Sequence, residues 1–600
     1  MHRLAFFKSR DYNISMKTNN EKIPNPQEIE KEIGEFLSKK FGDSVKLSHS
    51  MMVPMENSAK TDKTPPGQGK SIEFDIKPEE LIVYLDQYII RQHNAKAVLS
   101  TKICTHFNRI KHAKTDSAHH LNMVGGIKNN ILMIGPTGVG KTYMIKLIAQ
   151  KIGVPFVKGD ATKFSETGYV GGDVEDLLRD LVREADNDID LAQCGIIYID
   201  EIDKIASSRN LIGADVSRTG VQRALLKPME ETDVDLKVPH DPISMIQEIE
   251  RFRKTGQREK KTVNTKNILF IMSGAFHDLG AIIKKRITHQ RIGFGAGVKN
   301  SVPPFDILQH VKTEDLIQFG FESEFIGRLP VTAIFEHLSQ EDLFQILQMP
   351  NNPIILSKKL DFAAYGIDIK FDIRALHMLA KNASEENTGA RGLVNVVEKA
   401  LLDFEKKLPS TSVQKFPVTP AVIEHPGKTL TAMIGAMPLS ATAESYEKLC
   451  LAEKKYIRQY VESNRKSLSA RYHLTLTPPR INSVAALYCN QIMDIGSAIK
   501  KIKSFYDEIK TIELNFLKNF DINIVLEEDA VDFLIGQVIN TETVLDHLYS
   551  RLVSDFKLGL NLIREKTGRN RFFITGKALS DPESFINTLI KDALKDLPPD

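Results

Sequence analysis

The residues best suited to chemistry form a glycine-rich segment that ends in a lysine and a threonine. The segment consists of Gly135, Pro136, Thr137, Gly138, Val139, Gly140, Lys141 and Thr142. An apolar run (130–134) precedes it and an amphipathic run (142–153) follows, which predicts a strand–loop–helix unit. Glycines let backbone N–H groups curl around phosphates, and the start of the helix adds partial positive charge. We therefore predict a phosphate-binding loop in which Lys141 contacts the β- and γ-phosphates of ATP and Thr142 ligates Mg²⁺.

A second chemical element is an acidic pair at the end of an apolar run. Residues 196–199 read Ile-Ile-Tyr-Ile, and Asp200 and Glu201 follow them. If this strand ends beside the phosphate loop, Asp200 holds the Mg²⁺ shell and Glu201 orients and polarises the attacking water. A buried strand with an acidic end is common by itself, so this prediction depends on the phosphate loop.

The elements that must position these residues alternate along the chain from about Lys77 to Gly427. Short apolar runs are separated by amphipathic helical patterns, and the clearest runs are 130–134, 195–199 and 267–272. Strands that are apolar throughout are typical of a parallel sheet with helices on both faces. The predicted fold class is therefore α/β.

Length, charge and cysteine content exclude several classes of protein. The chain has 600 residues, too many for one core, and its 80 basic and 77 acidic residues leave a net charge of +3. This balance argues against a dominant nucleic-acid footprint. The four cysteines lie far apart without a CxxC pair, which predicts neither a zinc site nor a disulfide framework. Without a signal-peptide core or an apolar run of ~20 residues, we expect a cytoplasmic protein with no membrane association.

Further motifs establish a resemblance to a known family. They are Gly-Tyr-Val-Gly at 168–171, Asp-Glu-Ile-Asp-Lys-Ile at 200–205, Glu-Phe-Ile-Gly-Arg-Leu-Pro at 324–330 and Thr-Gly-Ala-Arg-Gly-Leu at 388–393. Together with the phosphate loop, these motifs resemble the ClpX and HslU unfoldases of the AAA+ superfamily. The resemblance covers roughly residues 77–425, with the motifs in the same order as in the family.

The resemblance implies an AAA+ P-loop NTPase with a large ATPase domain at 77–335 and a small, mainly helical α/β lid at 336–430. Members of the family assemble into rings, with six subunits implied here. They hydrolyse ATP to pull protein substrates through a central pore. The implied cofactors are ATP and Mg²⁺, and the implied partners are further copies of the chain and protein substrates.

The resemblance also assigns residues around the nucleotide. Tyr88, Ile89 and Ile90 match the segment that packs on the adenine ring, and Arg91 stands where the family usually has glycine. Ser273 matches the polar sensor-1 position at a strand end.

Two arginines complete the implied catalytic set. Arg328 matches the arginine finger that a neighbouring subunit offers to the γ-phosphate, and Arg391 matches the sensor-2 arginine of the lid. Such a finger is worth ~10³–10⁵ in rate, because it stabilises charge spread over the phosphoryl oxygens.

Surface loops carry the implied contacts with substrate and partner. Tyr169 and Val170 match the segment that grips polypeptide in the pore, while Ile292, Gly293 and Phe294 match the loop that docks on a ClpP-like peptidase. HslU lacks this docking element. A basic segment at 251–261 falls where ClpX has a charged loop at its pore entrance, although a solvated loop without a role fits it equally.

The ends of the chain depart from the family. The sequence predicts a tail and a short helix at residues 1–49 and a linker at residues 50–76. It also predicts a mostly helical C-terminal extension that contains a helical hairpin at residues 431–518. The zinc-binding amino-terminal domain of ClpX is not expected, given the cysteine positions. The apolar pattern of residues 521–535 matches that of residues 366–380 in the lid. Residues 519–600 are therefore interpreted either as a degenerate second copy of the lid or as a chance similarity between two strand–helix units. We hypothesise that both extensions select substrates or adaptors.

Other functions remain as alternatives to an unfoldase that feeds a peptidase. One is a stand-alone ATP-dependent remodeller of protein complexes. Another is a nucleic-acid motor, which the charge balance and the apolar neighbours of Tyr169 disfavour. A nucleotide-gated scaffold without hydrolysis is disfavoured by Glu201 and Arg328.

Overall fold

The structure, a computed structural model, describes residues 74–115, 128–164, 173–206, 216–236, 262–291, 307–435, 439–541 and 545–595. All of them belong to one compact unit, Gln68–Asp600. The predicted N-terminal helix and linker, the segment with Tyr169 and Val170, the basic segment 251–261 and the segment Ile292–Phe294 lie outside the described residues. Below, 74–335 is called the large domain, 336–435 the lid and 439–595 the C-terminal module.

The large domain is built on seven strands among its described residues: β1 (Ile131–Ile134), β2 (Phe156–Asp160), β3 (Ile196–Asp200), β4 (Asp233–Asp235), β5 (Thr262–Asn264), β6 (Leu269–Gly274) and β7 (Val331–Ile334). Five of them form a parallel sheet in the order β2-β3-β6-β1-β7. β4 and β5 form a separate antiparallel pair. This parallel sheet confirms the predicted α/β class.

Helices cover both faces of this sheet. They are α1 (Pro78–Asp86), α2 (His93–Thr115), α3 (Lys141–Ile152), α4 (Val174–Glu184), α5 (Ile189–Ala192), α6 (Val216–Met229), α7 (Leu279–Arg291), α8 (Thr313–Phe319) and α9 (Ser323–Gly327). Alternate residues of β1 enter opposite cores: Ile131 and Met133 face one, Leu132 and Ile134 the other. Burial on both faces explains why β1 is apolar at every position.

The lid is mainly helical and has a parallel pair of strands. Its elements are α10 (Gln340–Gln348), α11 (Pro353–Ala363), β8 (Asp368–Phe371), α12 (Ile373–Glu385), α13 (Ala390–Lys407), β9 (Lys415–Val418), α14 (Pro420–Glu424) and α15 (Pro426–Ile434). Its core centres on Phe362, Phe404 and Phe416, whose rings pack together. Helix α11 begins where Asn352 accepts a hydrogen bond from the backbone N–H of Ile354, before Pro353 in the first turn.

The C-terminal module is mostly helical, as predicted for the extension. Its elements are α16 (Leu439–Ser463), α17 (Arg465–Tyr472), α18 (Pro478–Gln491), α19 (Ile495–Phe520), β10 (Asn523–Leu526), α20 (Glu528–Thr541), α21 (Leu545–Thr567), β11 (Arg571–Ile574), α22 (Gly576–Ser580) and α23 (Pro582–Lys595). β10 and β11 are parallel. Among the described residues, every helix is too short or too polar to cross a lipid bilayer.

Candidate nucleotide-binding site

The glycine-rich loop connects β1 to α3, as the sequence predicts. Gly138 and Gly140 have φ angles of +77° and +91°, in the left-handed region where side chains are disfavoured. Lys141 begins α3, and its ammonium group donates to the carbonyl oxygens of Gly135 (2.6 Å) and Pro136 (2.8 Å). Burial lowers the pKa of Lys141 to about 8, against the opposing influence of Asp200.

Hydroxyl groups surround the carboxylate at the end of β3. Ser273 donates to Asp200 Oδ1 at 2.6 Å, and Thr142 donates to Oδ2 at 3.2 Å. The Tyr198 hydroxyl lies 2.6 Å from Ser273 Oγ and 3.0 Å from Thr142 Oγ1. Because Ser273 uses its single hydrogen on Asp200, Tyr198 must donate to Ser273. The hydrogen bonds therefore run from Tyr198 through Ser273 to Asp200. Burial raises the pKa of Tyr198, so that its side chain stays a neutral phenol.

Lys158 is a neighbour of Asp200 that the sequence analysis missed. Its ammonium group lies 2.9 Å from Asp200 Oδ2. Burial would raise the pKa of Asp200, but the bonds from Ser273 and Lys158 hold it below its usual value. The sequence carries little signal for this contact, because it requires β2 and β3 to be adjacent and parallel.

Glu201 lies just beyond the strand end, exposed and with a left-handed φ of 57°. Two residues further on, the buried side chain of Asp203 accepts from the backbone N–H groups of Ala275 (3.2 Å) and Phe276 (3.4 Å). These bonds tie the segment after β3 to the segment after β6, and so fix where Glu201 stands.

Arg91 lies in a left-handed backbone conformation that favours glycine. Arg91 and Gln92 have φ angles of 59° and 58°. The Arg91 guanidinium donates to Glu336 (2.7 Å) and to Asp342 of α10 (2.8 Å). Gln92 exchanges two hydrogen bonds with the backbone of Glu336, at 2.7 and 2.8 Å. The side chain of Arg91 thus joins the segment between α1 and α2 to the start of the lid.

The lid touches the phosphate loop directly. The N–H of Ala390 donates to the carbonyl oxygen of Gly138 at 2.8 Å. Gly389, with φ of 63°, comes so close that a Cβ on it would lie 2.9 Å from the same oxygen. This contact brings Arg391, in the first turn of α13, to the edge of the loop.

A cleft of about 390 Å³ lies between the large domain and the lid, within the size range of small-molecule sites. The predicted site residues that line it are Tyr88, Ile89, Ile90, Thr137, Gly138, Val139, Gly140, Lys141, Thr142, Asp200, Glu201 and Arg391. Met349 and Asn352 also line it, from the segment that connects α10 to α11, and so do Pro353 and Ile354 at the start of α11. The sequence analysis missed this segment because it has no motif.

Arg328 does not line the cleft. It follows α9, its side chain is 47% exposed, and its guanidinium pairs with Glu230 at 2.5 Å. Its carbonyl oxygen accepts a hydrogen bond from Asn130 at 3.1 Å. A finger that acts on another subunit's nucleotide needs such an exposed position. No cluster of three potential metal ligands from His, Cys, Asp and Glu occurs in the described part of the chain.

The parallel sheet, the loop between β1 and α3 and the acidic end of β3 define a P-loop ATPase of the AAA+ class. Residues 127–332 match the family described as AAA domain (Cdc48 subfamily). A Treponema denticola protein named ATP-dependent Clp protease ATP-binding subunit ClpX is 42% identical over 342 residues, which are 56% of this chain and 79% of that relative. A Borrelia duttonii protein of the same name is 38% identical over 390 residues, 64% of this chain and 86% of the relative. The chain belongs to the ClpX family of ATP-dependent Clp-type unfoldases and is an ATPase, which confirms the resemblance seen in the sequence.

Proposed function

We propose that the chain assembles into a hexameric ring that threads protein substrates through its pore, into a ClpP-like peptidase. The observation that carries the proposal is the division of the catalytic set. Lys141, Asp200, Glu201 and Arg391 meet at one cleft, while Arg328 is exposed elsewhere on the same chain. Hydrolysis that needs both therefore requires a second subunit.

The cleft residues fit Mg²⁺-ATP by the chemistry of their donors. Thr142 and Asp200 offer hard oxygen ligands within 3.2 Å of each other, as Mg²⁺ prefers. Backbone N–H groups of the glycine loop and the Lys141 ammonium suit a triphosphate, and Tyr88, Ile89 and Ile90 provide an apolar wall for a base. When bound, the nucleotide supplies a terminal phosphoryl group for transfer to water.

The chain's own residues then divide the work of hydrolysis. Glu201, exposed at the cleft, takes up a proton from the attacking water. The hydrogen bond from Ser273 and the ion pair with Lys158 keep Asp200 ionised and oriented. Arg391 from the lid and Arg328 from a neighbour stabilise the developing negative charge.

A mixing experiment tests whether Arg328 acts in trans. Glu201→Gln and Arg328→Ala subunits should each hydrolyse ATP poorly alone. When they are mixed, Arg328 of a Glu201→Gln subunit serves an Arg328→Ala neighbour that still has Glu201. With random assembly in a head-to-tail ring, about a quarter of the sites become competent.

The control for the charge removed is Arg183→Ala, since Arg183 is exposed and pairs with Asp180 in its own helix. It should hydrolyse ATP at the wild-type rate. Failure of the mixture to regain activity, with both variants folded and assembled, would contradict action in trans.

Threading and peptidase docking require a substrate assay. A tagged fluorescent protein should lose its fluorescence in the presence of ATP, and Tyr169→Ala should abolish this loss while ATP hydrolysis continues.

Exchanging Ile292, Gly293 and Phe294 for serines should abolish degradation with a ClpP-like peptidase but preserve unfolding. Unfolding without any peptidase binding would instead support a stand-alone remodeller.

A further inference from the structure

The C-terminal module repeats the element order of the lid. In the lid, two helices precede a strand, two more lead to a parallel strand, and two follow; α18 to α23 with β10 and β11 have the same order. Equivalent backbone bonds flank the strands: Asp372 N donates to Val418 O at 2.9 Å, and Glu527 N to Ile574 O at 3.0 Å. The repeated order begins at Pro478, earlier than the sequence alignment at 519 indicates.

The module is anchored to the lid through a buried carboxylate. Glu453 of α16 binds the ammonium groups of Lys359 and, at 3.0 Å, Lys370. The side chains of these lid lysines are only 3% and 2% exposed. Lys370 also donates to the carbonyl oxygen of Cys489 in α18 at 3.2 Å. Because unpaired buried charges are costly, the lid and the module fit together as one body.

The module also reaches the large domain, behind the base wall of the cleft. The guanidinium of Arg471 in α17 lies 4.4 Å from the ring centroid of Tyr84 and donates to Gln87 Oε1 at 2.7 Å. The Tyr84 ring lies 5.2 Å from that of Tyr88, which lines the cleft. Arg471 is therefore connected to the cleft through two aromatic side chains, Tyr84 and then Tyr88.

The segment between α10 and α11 is held from the same side. Tyr488 donates its hydroxyl hydrogen to the carbonyl oxygen of Pro350 at 3.2 Å, and Ile495 N donates to Asn351 Oδ1 at 3.2 Å. The flanking residues Met349 and Asn352 line the cleft. Both apolar sides of the cleft are thus supported by contacts from the C-terminal module.

We propose that Pro478–Lys595 is a second copy of the lid and that Arg471, beside it, is a positioning residue for the nucleotide base. With the module anchored on the lid by Glu453, Arg471 holds Tyr84 and Gln87 so that Tyr88 presents its base-binding face. The inference rests on the proposed nucleotide site. It assigns the C-terminal module a role within its own subunit, in addition to any selection of adaptors.

The test separates binding of the base from binding of the phosphates. In the full-length protein, Arg471→Met keeps most of the side-chain volume but removes the cation and the bond to Gln87. The affinity for ATP should fall by up to about tenfold, the limit reached if the free energy of a partly buried cation–aromatic contact and one hydrogen bond goes entirely into holding Tyr88 in its base-binding position. The affinity for inorganic tripolyphosphate should be unchanged, and Arg471→Lys should restore part of the ATP affinity.

Arg465→Met is the matched control, because Arg465 lies in the same helix and its ion pair, with Glu462 at 3.5 Å, is local in sequence. It should leave both affinities at wild-type values. Equal ATP affinity in the two variants would overturn the proposal, as would a parallel loss of ATP and tripolyphosphate binding. Since binding is measured without hydrolysis, an effect of Arg471 on ATP affinity would stand even if the trans action of Arg328 failed.

Discussion

The close contact between the phosphate loop and the lid makes Gly138→Ala an informative substitution. A Cβ at Gly138 would lie 2.1 Å from the carbonyl oxygen of Thr388. That oxygen belongs to the backbone and cannot rotate away, so the lid must retreat. An ordinary carbon–oxygen contact is about 3.4 Å, and the required displacement is therefore roughly 1 Å. Arg391 would move with its loop.

Two effects are expected, and a control separates them. The left-handed φ of 77° costs any residue with a side chain roughly 1–2 kcal/mol, and Gly153 has the same φ with open space around it. Both variants should thus lose stability in urea unfolding, and Gly138→Ala should lose at least as much as Gly153→Ala, since its lid contact is also disturbed. Only Gly138→Ala displaces the lid, and a misplacement of about 1 Å costs on the order of 10²-fold in rate.

The assay is steady-state ATP hydrolysis, measured as kcat/KM for both variants beside their free energies of unfolding. The expected result is a large loss of kcat/KM in Gly138→Ala and a rate close to wild type in Gly153→Ala. If both variants hydrolyse ATP equally well, the contact between Gly138 and the lid has no part in assembling the site, and the reasoning is refuted.

Two further substitutions report on stability. Arg91→Gly should be more stable than Arg91→Ala by roughly 1 kcal/mol in urea unfolding, since both lose the ion pairs to Glu336 and Asp342 but only alanine keeps the strain of a positive φ; equal stabilities would refute that strain. Burial lowers the pKa of His106 from 6.5 to about 4. Between these pH values the unfolded chain binds more protons than the folded protein, so the free energy of unfolding falls by up to about 3 kcal/mol as the pH drops from 6.5 toward 4. His106→Gln should flatten the stability profile over this range, and an unchanged slope would rule His106 out as its source.

The sheet and the phosphate loop were predictable because their physical requirements are local. A strand buried on both faces must be apolar at every position, and a loop that wraps phosphates must be rich in glycine. Glu201 and Arg391 could be proposed because they belong to contiguous motifs. For these parts of the chain, neighbours in sequence are also neighbours in space.

The contacts that the sequence did not reveal join distant segments. Lys158 meets Asp200 only through the pairing of β2 with β3, and Arg471 reaches Gln87 across 384 positions. The contacts of Arg91 could not be predicted either, because Glu336 and Asp342 lie 245 and 251 positions away in the sequence. Such pairings depend on how elements pack, which residue type and spacing do not encode locally.

The lid and Pro478–Lys595 have the same element order, so both could pack against the large domain while the chain is being synthesised. Either could compete for the surface beside Gly138, yet only the first has glycine at the corner where backbone meets backbone. In the second segment, the sequence between α20 and α21 reads Glu-Thr-Val and contains no glycine. The first segment also leaves the ribosome earlier. Both the corner chemistry and the order of emergence thus favour the correct intramolecular partner.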